Sequence, residues 1–510
     1  MIPNIIHFIF GLKKQDEEFL FVYYLSVYSA QKINNPDKIY FYYHYEPFGK
    51  WWEKLKEIKS VEFVKVNLPE SIGIKKIIKT AHRADKLRME LLYTKGGVYM
   101  DIDTISIRPY KHLLNNKTVM CQEYHVKDNR KSGLCNAIML TEPKSTFFKN
   151  WIGRYEQYFN PEGWQESSIL LPKALAKIFK EDITILSPEY FFKPNFNETE
   201  DIFINFKQIQ KEAITLHLWE THSKKYFNQI KDWDWCYKNS HTIYGKAMLN
   251  LIDKKDLTDV TFIIPLKIDS KKRENNLKRS VRYLQKNFNT NIIIYECDYN
   301  SNEEKIRSWF NNPITYVFEK IEDSNFWRTR ILNNMTKMSN TDIIVNYDVD
   351  IIIDHISLIS SKYYIKENLS DIVYPYDGQF YDVKKDQFSL IENNKIDEIN
   401  LDKCQKIHSN SLGGCFLFSR ERYKKVGLEN ENFKAWGFED NERFIRSKKL
   451  GLRVNRSSGV LLHMNHERSK KSGNFYLVEN VNDNKDLYNK IYDMSTEELK
   501  EYVKTFNWIK

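Results

Sequence analysis

One local pattern occurs twice in this sequence, and it restricts the possible folds more than any other feature. In the first half, an amphipathic helical segment ends at Gly96, and a short apolar strand then leads into Asp101 and Asp103. In the second half, the helical segment FWRTRILNNMTKM and the apolar strand DIIVNY lead into Asp348 and Asp350. Because helices that alternate with apolar strands form mostly parallel sheets, the pattern predicts an α/β fold in each half.

A polar stretch near the middle of the chain indicates where the two halves meet. The sequence LIDKKDLTD, at residues 251–259, separates aromatic-rich sequence from a new apolar strand, VTFIIPL at 260–266. The first half opens with a comparable strand, IIHFIF at 5–10. A chain of 510 residues exceeds one ordinary core, so we expect two Rossmann-like domains in tandem, at 1–250 and 258–510.

The composition favours a globular protein of the cytoplasm. Hydrophobic residues make up 42% of the chain, so both halves can bury a core and disorder is not expected. The sequence has no apolar run of 18 residues and its start lacks the features of a signal peptide, so we expect neither a transmembrane segment nor export. Six cysteines without CxxC spacing indicate reduced, mostly buried thiols, which fits a cytoplasmic location.

The net charge of +10 is compatible with more than one kind of partner. A basic surface suits anionic ligands such as sugar nucleotides or acidic glycans, and it would also suit nucleic acid. The sequence contains no nucleic-acid recognition motif, so we expect no nucleic-acid partner. A solvated basic surface without a ligand is the plainer interpretation.

Paired aspartates at the ends of strands predict sites for divalent cations. Mg²⁺ and Mn²⁺ accept oxygen ligands, and such a cation can neutralise the charge that develops on a departing diphosphate. Asp-x-Asp alone is a weak signal, because about two or three such pairs arise by chance in a chain this acidic. Asp232 and Asp234 form a pair that we interpret in this way. The pairs at 101–103 and 348–350 follow apolar strands in α/β sequence, where ligands bind in open sheets.

The segment HRADKLRMELLYTKGGVYMDIDT, at residues 82–104, resembles glycosyltransferase family 32, the DxD sugar-binding group that includes α-mannosyltransferases and large clostridial glucosylating toxins. The resemblance implies that Asp85, Arg88 and Asp101 bind the donor and that Asp103 binds a metal ion. Asp85 and Arg88 stand three residues apart on one helical face, although a surface ion pair would have the same spacing.

Further residues of the first half match the same family. Phe10 occupies the position of an aromatic residue that stacks on the nucleotide base, where tryptophan is more usual. Asn136, in SGLCNAIML, matches an asparagine near the donor. His217 and Trp219, in ITLHLWETHS, resemble the closing His and Trp segment without its serine-tryptophan pair. Taken alone, either of these last two would more often be a core residue.

The second half resembles a different group, the inverting β-glycosyltransferases of families 7 and 2, which include β-1,4-galactosyltransferases and chondroitin-type polymerases. The likeness rests on the Asp-x-Asp at 348–350 and on the segments GGCFLFSRERYKKVG, AWGFEDNERFIR and LHMNHERSKK. It implies that Asp440 is the base that accepts the acceptor's hydroxyl proton and that Glu439 binds hydroxyl groups of acceptor or donor. A helix cap is the plainer interpretation of this acidic pair.

The same resemblance assigns metal ligands and a donor contact. Asp348, Asp350 and His466 would hold the cation, with His463 at the position where the galactosyltransferases use a methionine. Trp436 resembles the tryptophan of a mobile loop that stacks on sugar, and a core tryptophan is the alternative.

Several loop residues of the second half fall where this fold contacts its substrates. Asp298 follows the strand NIIIYEC and is a candidate donor-binding residue, as are Asp269 and Arg273 after the strand VTFIIPL. Gly413 and Gly414 would allow the backbone to approach the substrate closely.

Together these motifs predict a bifunctional enzyme with two GT-A-like domains. The resemblances imply a retaining, α-forming first domain and an inverting, β-forming second domain, each with one Mn²⁺ or Mg²⁺. We expect UDP-sugars as donors and a glycan or glycoprotein as acceptor. In one alternative, a single half is active and the other is a glycan-binding or scaffolding module. In a second alternative, which only the net charge favours, the chain is a non-catalytic nucleic-acid-binding protein.

Overall fold

The computed structural model describes residues 1–124, 131–163, 165–205, 207–321, 326–435, 437–466 and 481–509. These residues form two compact units, Met1–Leu251 and Ile252–Lys510. Each unit contains one large sheet, a few short strands and helices that alternate with the strands. The predicted α/β class is therefore confirmed.

The first unit is built around a seven-stranded sheet. All strands of the first unit, in chain order, are β1 (Ile5–Ile9), β2 (Lys38–Tyr43), β3 (Val61–Lys65), β4 (Ser71–Ile72), β5 (Lys75–Lys76), β6 (Gly97–Met100), β7 (Thr104–Ser106), β8 (Thr118–Tyr124), β9 (Lys131–Thr141), β10 (Thr184–Leu186) and β11 (Thr215–His217). The large sheet has the order β3-β2-β1-β6-β9-β8-β10. Only β9 runs antiparallel to its neighbours, so the sheet is mostly parallel as predicted.

Helices of the first unit connect these strands. They are α1 (Phe21–Asn34), α2 (Lys50–Lys56), α3 (Thr80–Lys95), α4 (Thr146–Tyr158), α5 (Leu171–Ile178), α6 (Thr199–Phe203), α7 (Glu220–Phe227), α8 (Trp233–Lys238) and α9 (Ile243–Leu249). Asp232, of the Asp-x-Asp interpreted as accidental, caps helix α8 by accepting a hydrogen bond from the backbone N–H of Asp234.

The second unit has a seven-stranded sheet of its own. Its strands are β12 (Lys255–Leu266), β13 (Phe288–Asp298), β14 (Thr315–Lys320), β15 (Ile343–Tyr347), β16 (Ile351–Ile353), β17 (Ile372–Tyr374), β18 (Phe380–Asp382), β19 (Gln405–His408), β20 (Cys415–Ser419), β21 (Val454–Arg456) and β22 (Leu461–His463). The large sheet has the order β14-β13-β12-β15-β20-β17-β21, and β20 is its antiparallel strand. A smaller sheet has the order β16-β22-β18-β19.

Helices of the second unit follow the same alternation and end with two C-terminal helices. They are α10 (Lys271–Asn287), α11 (Glu303–Arg307), α12 (Arg328–Met338), α13 (His355–Lys366), α14 (Phe388–Glu392), α15 (Arg420–Lys425), α16 (Glu439–Lys449), α17 (Val481–Asp493) and α18 (Thr496–Lys504). The capping box predicted at Ser495 and Glu498 begins α18, and Leu499 of that helix packs with Phe433 and Ile491. The C-terminal helices therefore belong to the core of the second unit.

The two large sheets share one arrangement around their Asp-x-Asp motifs. In each unit, the strand before the motif (β6 or β15) lies between the first strand of the unit (β1 or β12) and the antiparallel strand (β9 or β20). In each unit, the short strand after the motif (β7 or β16) pairs antiparallel with a much later strand (β11 or β22). Both motifs therefore lie at the C-terminal end of a central strand, the edge of an open α/β sheet where ligands bind.

Glycines produce the abrupt change from helix α3 to strand β6. Gly96 and Gly97 have φ values of +65° and +101°, which L side chains rarely adopt. A Cβ atom at Gly97 would lie 2.6 Å from the Ile5 side chain of the neighbouring strand. The predicted helix stop is therefore also the point at which the strand enters the sheet.

Two further sequence expectations concern the whole chain. All six cysteines are free thiols, and five of them are buried, as predicted. Within the described ranges, no helix has the length and hydrophobicity needed to cross a lipid bilayer.

Candidate active sites

In the first unit, strand register brings a histidine to the Asp-x-Asp. Antiparallel pairing of β7 with β11 places His217 opposite Thr104, the residue that follows the motif. The His217 Nε2 atom is 3.2 Å from Asp103 Oδ1. The backbone N–H of Glu220 donates to the other Asp103 oxygen at 2.8 Å. The second aspartate of the motif is thus held between a histidine and the N-terminus of α7.

The predicted donor-binding residues of the first unit form one hydrogen-bonded cluster. The Arg88 guanidinium lies 3.2 Å from Asp101 Oδ1 and donates to the backbone oxygen of Asn136 at 2.7 Å. The Asn136 side-chain amide donates to Asp85 at 2.7 Å. Arg88 also lies over the Tyr99 ring, whose hydroxyl donates to Asp101 at 2.6 Å. The structure therefore brings Asp85, Arg88, Asp101 and Asn136 together.

Burial and neighbouring charges adjust the ionisation of this site. Burial raises the pKa of Asp101, and the Arg88 guanidinium opposes that rise. Burial lowers the pKa of His217, but the surrounding carboxylates, Asp103 first among them, together outweigh it and raise that pKa. Burial also disfavours the charged form of Asp103, yet His217 holds the pKa of that carboxyl below its usual range. The field at the motif therefore favours an ionised Asp103.

Phe10 lines a cavity that adjoins this motif through Glu220, the residue whose backbone N–H donates to Asp103. The cavity has a volume of about 430 Å³, and its lining includes Phe10, Tyr23, Ala84 and Glu220. The Phe10 ring packs against the rings of Phe19 and Tyr23, with centroids 5.2 and 5.1 Å away. Trp219 lies beside His217, with ring centroids 4.1 Å apart. An aromatic ring that lines a cavity close to paired carboxylates suits the binding of a nucleotide base.

In the second unit, the Asp-x-Asp meets two histidines. Pairing of β16 with β22 places His463 opposite Ile351, the residue that follows this motif. Asp350 Oδ2 is 2.8 Å from Nε2 of His466 and 3.9 Å from Nε2 of His463. Burial alone would raise the pKa of Asp350, but the two histidines hold it well below its usual range. His463 therefore has the same position relative to its Asp-x-Asp as His217 has in the first unit.

The second unit has a cavity of about 450 Å³ that is lined by Asp348, Asp350 and the acidic pair Glu439 and Asp440. Glu439 is the first residue of α16 and is 5% exposed. Burial, together with the Asp440 carboxylate, raises the pKa of Glu439 to about 7. The Arg443 guanidinium donates to Asp440 at 2.6 Å. A Cβ atom at Gly413 would lie 2.6 Å from Asp440 Oδ2, so any larger residue at this position would clash with the carboxylate.

Arg328 is a functional candidate that the motifs did not reveal. Its guanidinium lies 2.8 Å from Asp348 and 3.7 Å from Asp440, so it connects the Asp-x-Asp with the acidic pair. Burial raises the pKa of Asp348, and Arg328 opposes that rise. The first half held the signal that could have found it: Arg88 likewise lies on the helix before the motif and contacts the first aspartate.

The remaining predicted residues differ in their placement. Arg273 lines the second cavity, pairs with Asp269 at 3.1 Å and donates to the His466 ring. Asp298 accepts hydrogen bonds from the backbone N–H groups of Ile268 and Tyr299, and it is not among the described residues lining that cavity. Trp436 lies outside the described residues.

Each unit contains a group of side chains that could hold a metal ion. The ligand atoms of Asp101, Asp103 and His217 lie within 4.8 Å of one another, and so do those of Asp350, His463 and His466. Carboxylates suit Mg²⁺ and Mn²⁺, and imidazole shifts the preference towards transition metals. Both groups therefore fit a divalent cation, and the second, with two imidazoles, fits Mn²⁺ better than Mg²⁺.

Two family models match the chain. Residues 22–120 match the glycosyltransferase sugar-binding region containing DXD motif, a span that includes Asp85, Arg88 and the first Asp-x-Asp. Residues 398–470 match the N-terminal domain of galactosyltransferase, a span that includes Asp440 and His463. The resemblances inferred from the motifs are therefore confirmed.

Comparisons with individual proteins find one relative and two solved structures of low similarity. Glucan organizing enzyme 1 of Cryptococcus neoformans var. grubii is 30% identical over 272 residues, which cover 50% of this chain and 72% of that protein. A variant of Drosophila β1,4-galactosyltransferase 7 in complex with manganese, UDP-Gal and xylobiose has 15% identity and a TM-score of 0.28, covering 41% of this chain and 71% of that one. A mannosyltransferase from Pyrobaculum calidifontis in complex with GDP-Man and Mn²⁺ has 15% identity and a TM-score of 0.28, covering 41% of this chain and 58% of that one.

Proposed function

This chain is a glycosyltransferase that belongs to the family of glucan organizing enzyme 1, and we propose that both of its units transfer sugars from nucleotide-sugar donors. One observation carries the proposal. In each unit, a buried arginine contacts the first aspartate of the Asp-x-Asp, and a histidine from a paired strand lies close to the second. A unit that served only as a scaffold would have no need for this arrangement.

In the first unit, we propose a retaining transfer that forms an α-linkage. Phe10 stacks on the base of a UDP-sugar, while Asp85 and Arg88 orient the sugar and the diphosphate. A cation held by Asp103 and His217, with Asp101 beside them, would neutralise the charge that develops on the departing UDP. Arg88 adds a second positive charge close to Asp101, at a position that is 6% exposed and therefore little screened.

In the second unit, we propose an inverting transfer that forms a β-linkage. Asp440 accepts the proton of the acceptor hydroxyl as that oxygen attacks the sugar, a role for which it is open to the cavity at 26% side-chain exposure. Glu439, whose pKa lies near 7, forms hydrogen bonds with sugar hydroxyl groups. Asp348, Asp350, His463 and His466 would hold the cation that stabilises the diphosphate, and Trp436 would stack on the sugar.

Separate substitutions in the two motifs test whether both units are active. The full chain is incubated with Mn²⁺ and a panel of UDP- and GDP-sugars, and hydrolysis and transfer are followed by mass spectrometry. Glucans belong in the acceptor panel because of the name of the fungal relative. Asp103→Ala should abolish one activity and Asp350→Ala the other. Asp234→Ala, in the exposed Asp-x-Asp of the first unit, is the matched control and should change neither.

The outcomes separate the proposal from its alternative. If Asp103→Ala or Asp350→Ala leaves every activity intact, a single unit is active and the other is a glycan-binding or scaffolding module. If the unaltered chain neither hydrolyses nor transfers any sugar of the panel, the proposal is refuted.

A further inference from the structure

Asp382 lies directly beside a candidate metal ligand of the second unit. Parallel pairing of β18 with β22 places Asp382 opposite His463, and the backbone N–H of Val383 donates to the His463 carbonyl at 2.9 Å. An Asp382 carboxylate oxygen contacts His463 Nδ1. The other carboxylate oxygen accepts a hydrogen bond from the Asn465 side chain at 3.0 Å. Two strands and one amide thus fix the carboxylate against the imidazole.

This contact determines which ring nitrogen of His463 can bind a metal ion. A carboxylate accepts hydrogen bonds and does not donate them, so the Nδ1 atom of His463 carries the hydrogen. The lone pair then lies on Nε2, the atom that is 3.9 Å from Asp350. A hydrogen-bonded carboxylate also keeps the imidazole ring from rotating and makes it a stronger ligand.

The first unit offers an internal comparison. His217 occupies the same register position relative to its motif as His463 does. Its Nδ1 atom has no hydrogen-bond partner among the residues that the structure describes. The carboxylate contact is therefore an addition of the second unit and not a general requirement of this strand arrangement.

We propose that Asp382 is a positioning residue that fixes the tautomer and the orientation of His463 for a divalent cation. The inference rests on the proposed metal site of the second unit. Asp382 is not among the described residues lining the cavity that holds Asp348 and Asp350. It lines a smaller cavity beside it together with His463, so we infer that it acts on the cation through that ring.

The experiment measures metal binding and not only activity. Mn²⁺ binding to the full chain is titrated by electron paramagnetic resonance in an Asp103→Ala background, so that the second site is observed alone. Asp382→Asn keeps the shape of the side chain and removes its charge, and it should weaken Mn²⁺ binding by about 10- to 100-fold. Asp386→Asn, the same change at an exposed position close by, is the matched control and should bind like the parent chain.

Two further measurements distinguish positioning from general damage. Electron spin echo modulation detects nitrogen bound to Mn²⁺, and the Asp382→Asn chain should lose part of the nitrogen signal of the parent. In a double-mutant cycle, Asp382→Asn should cause no further loss once His463→Ala is present, because Asp382 acts only through that ring.

The results distinguish a failure of the proposed metal site from a failure of the proposed role of Asp382. If the parent chain itself binds no Mn²⁺ at the second site, the proposed metal-dependent function fails. If the parent binds Mn²⁺ and Asp382→Asn binds it equally well, the role of Asp382 is overturned. An affinity loss that adds fully to that of His463→Ala also overturns it.

Discussion

Replacing His7 with asparagine should make the first unit less sensitive to acid. His7 lies in β1 with 0% exposure, its Nε2 atom is 2.8 Å from the Gly96 carbonyl oxygen, and its Nδ1 atom is 3.2 Å from the Tyr42 hydroxyl. Burial is the main cause that lowers the pKa of His7 from 6.5 to about 4. The folded protein therefore holds a neutral imidazole at the residue where α3 turns into the strand of the first Asp-x-Asp.

The sign and size of the effect follow from proton linkage. Above pH 6.5, His7 is neutral in both the folded and the unfolded chain, and its full contribution to stability is present. As the pH falls towards 4, His7 binds a proton in the unfolded chain but not in the folded chain, so the folded state becomes less stable. The pKa of His7 is 6.5 in the unfolded chain and about 4 in the folded one, and each pH unit between these values is worth roughly 1.4 kcal/mol. Because folded His7 is itself half protonated at pH 4, the loss by that pH is about 3 kcal/mol.

The measurement compares unfolding free energies of the wild-type chain and His7→Asn from urea titrations between pH 7 and pH 4. The variant is less stable at pH 7, and the difference from the wild type should narrow by about 3 kcal/mol at pH 4. His112→Asn, at an exposed position of the same unit, is the control and should leave the pH dependence unchanged. A difference between His7→Asn and the wild type that stays constant across this range would refute the reasoning.

Two more predictions concern the second unit. In Gly413→Ala, the new Cβ atom should push against Asp440 and lower transfer by this unit about 100-fold, with little change in Mn²⁺ affinity. Gly153→Ala is the control, because a Cβ atom there meets no atom within 4 Å, and it should not change transfer. Equal transfer activities of the two variants would contradict the role of Gly413. Arg328→Met should lower the unfolding free energy by about 3 kcal/mol, because it leaves the carboxylates of Asp348 and Asp440 without their shared cation. Arg330→Met is the control; it breaks the more exposed ion pair with Glu319 and should lower the unfolding free energy by less than about 1 kcal/mol. Similar losses for both variants in urea titrations would show that Arg328 does not stabilise these two carboxylates.

Local sequence patterns were sufficient to predict the elements that carry the two motifs. The glycines at 96 and 97 predict the end of α3, and the apolar residues before each Asp-x-Asp predict a central strand. Asp85 and Arg88 were expected to share a helical face, and the structure places both on one face of α3 within a single cluster. These features depend on neighbours within a few residues, which a sequence displays directly.

Contacts between distant segments were beyond such reasoning. Asp382 reaches His463 because of the register between β18 and β22, and strand register is not visible in a lone sequence. Arg328 begins α12 as one of several basic residues. Its likeness to Arg88 could have singled it out, but its position beside Asp440 is set by the fold. Asp298 follows a strand, which predicts a donor contact. Its carboxylate accepts hydrogen bonds from the backbone N–H groups of Ile268 and Tyr299, and the donor contact stays a prediction.

The pairing of each Asp-x-Asp with a late histidine strand has a consequence for biosynthesis. Asp103 and His217 are 114 residues apart, so the first centre cannot assemble until most of its unit has left the ribosome. Every strand of the first large sheet and the strand of His217 precede residue 218, so that centre can be complete while the ribosome is still translating the second unit. A nascent chain would therefore acquire its two candidate centres one after the other.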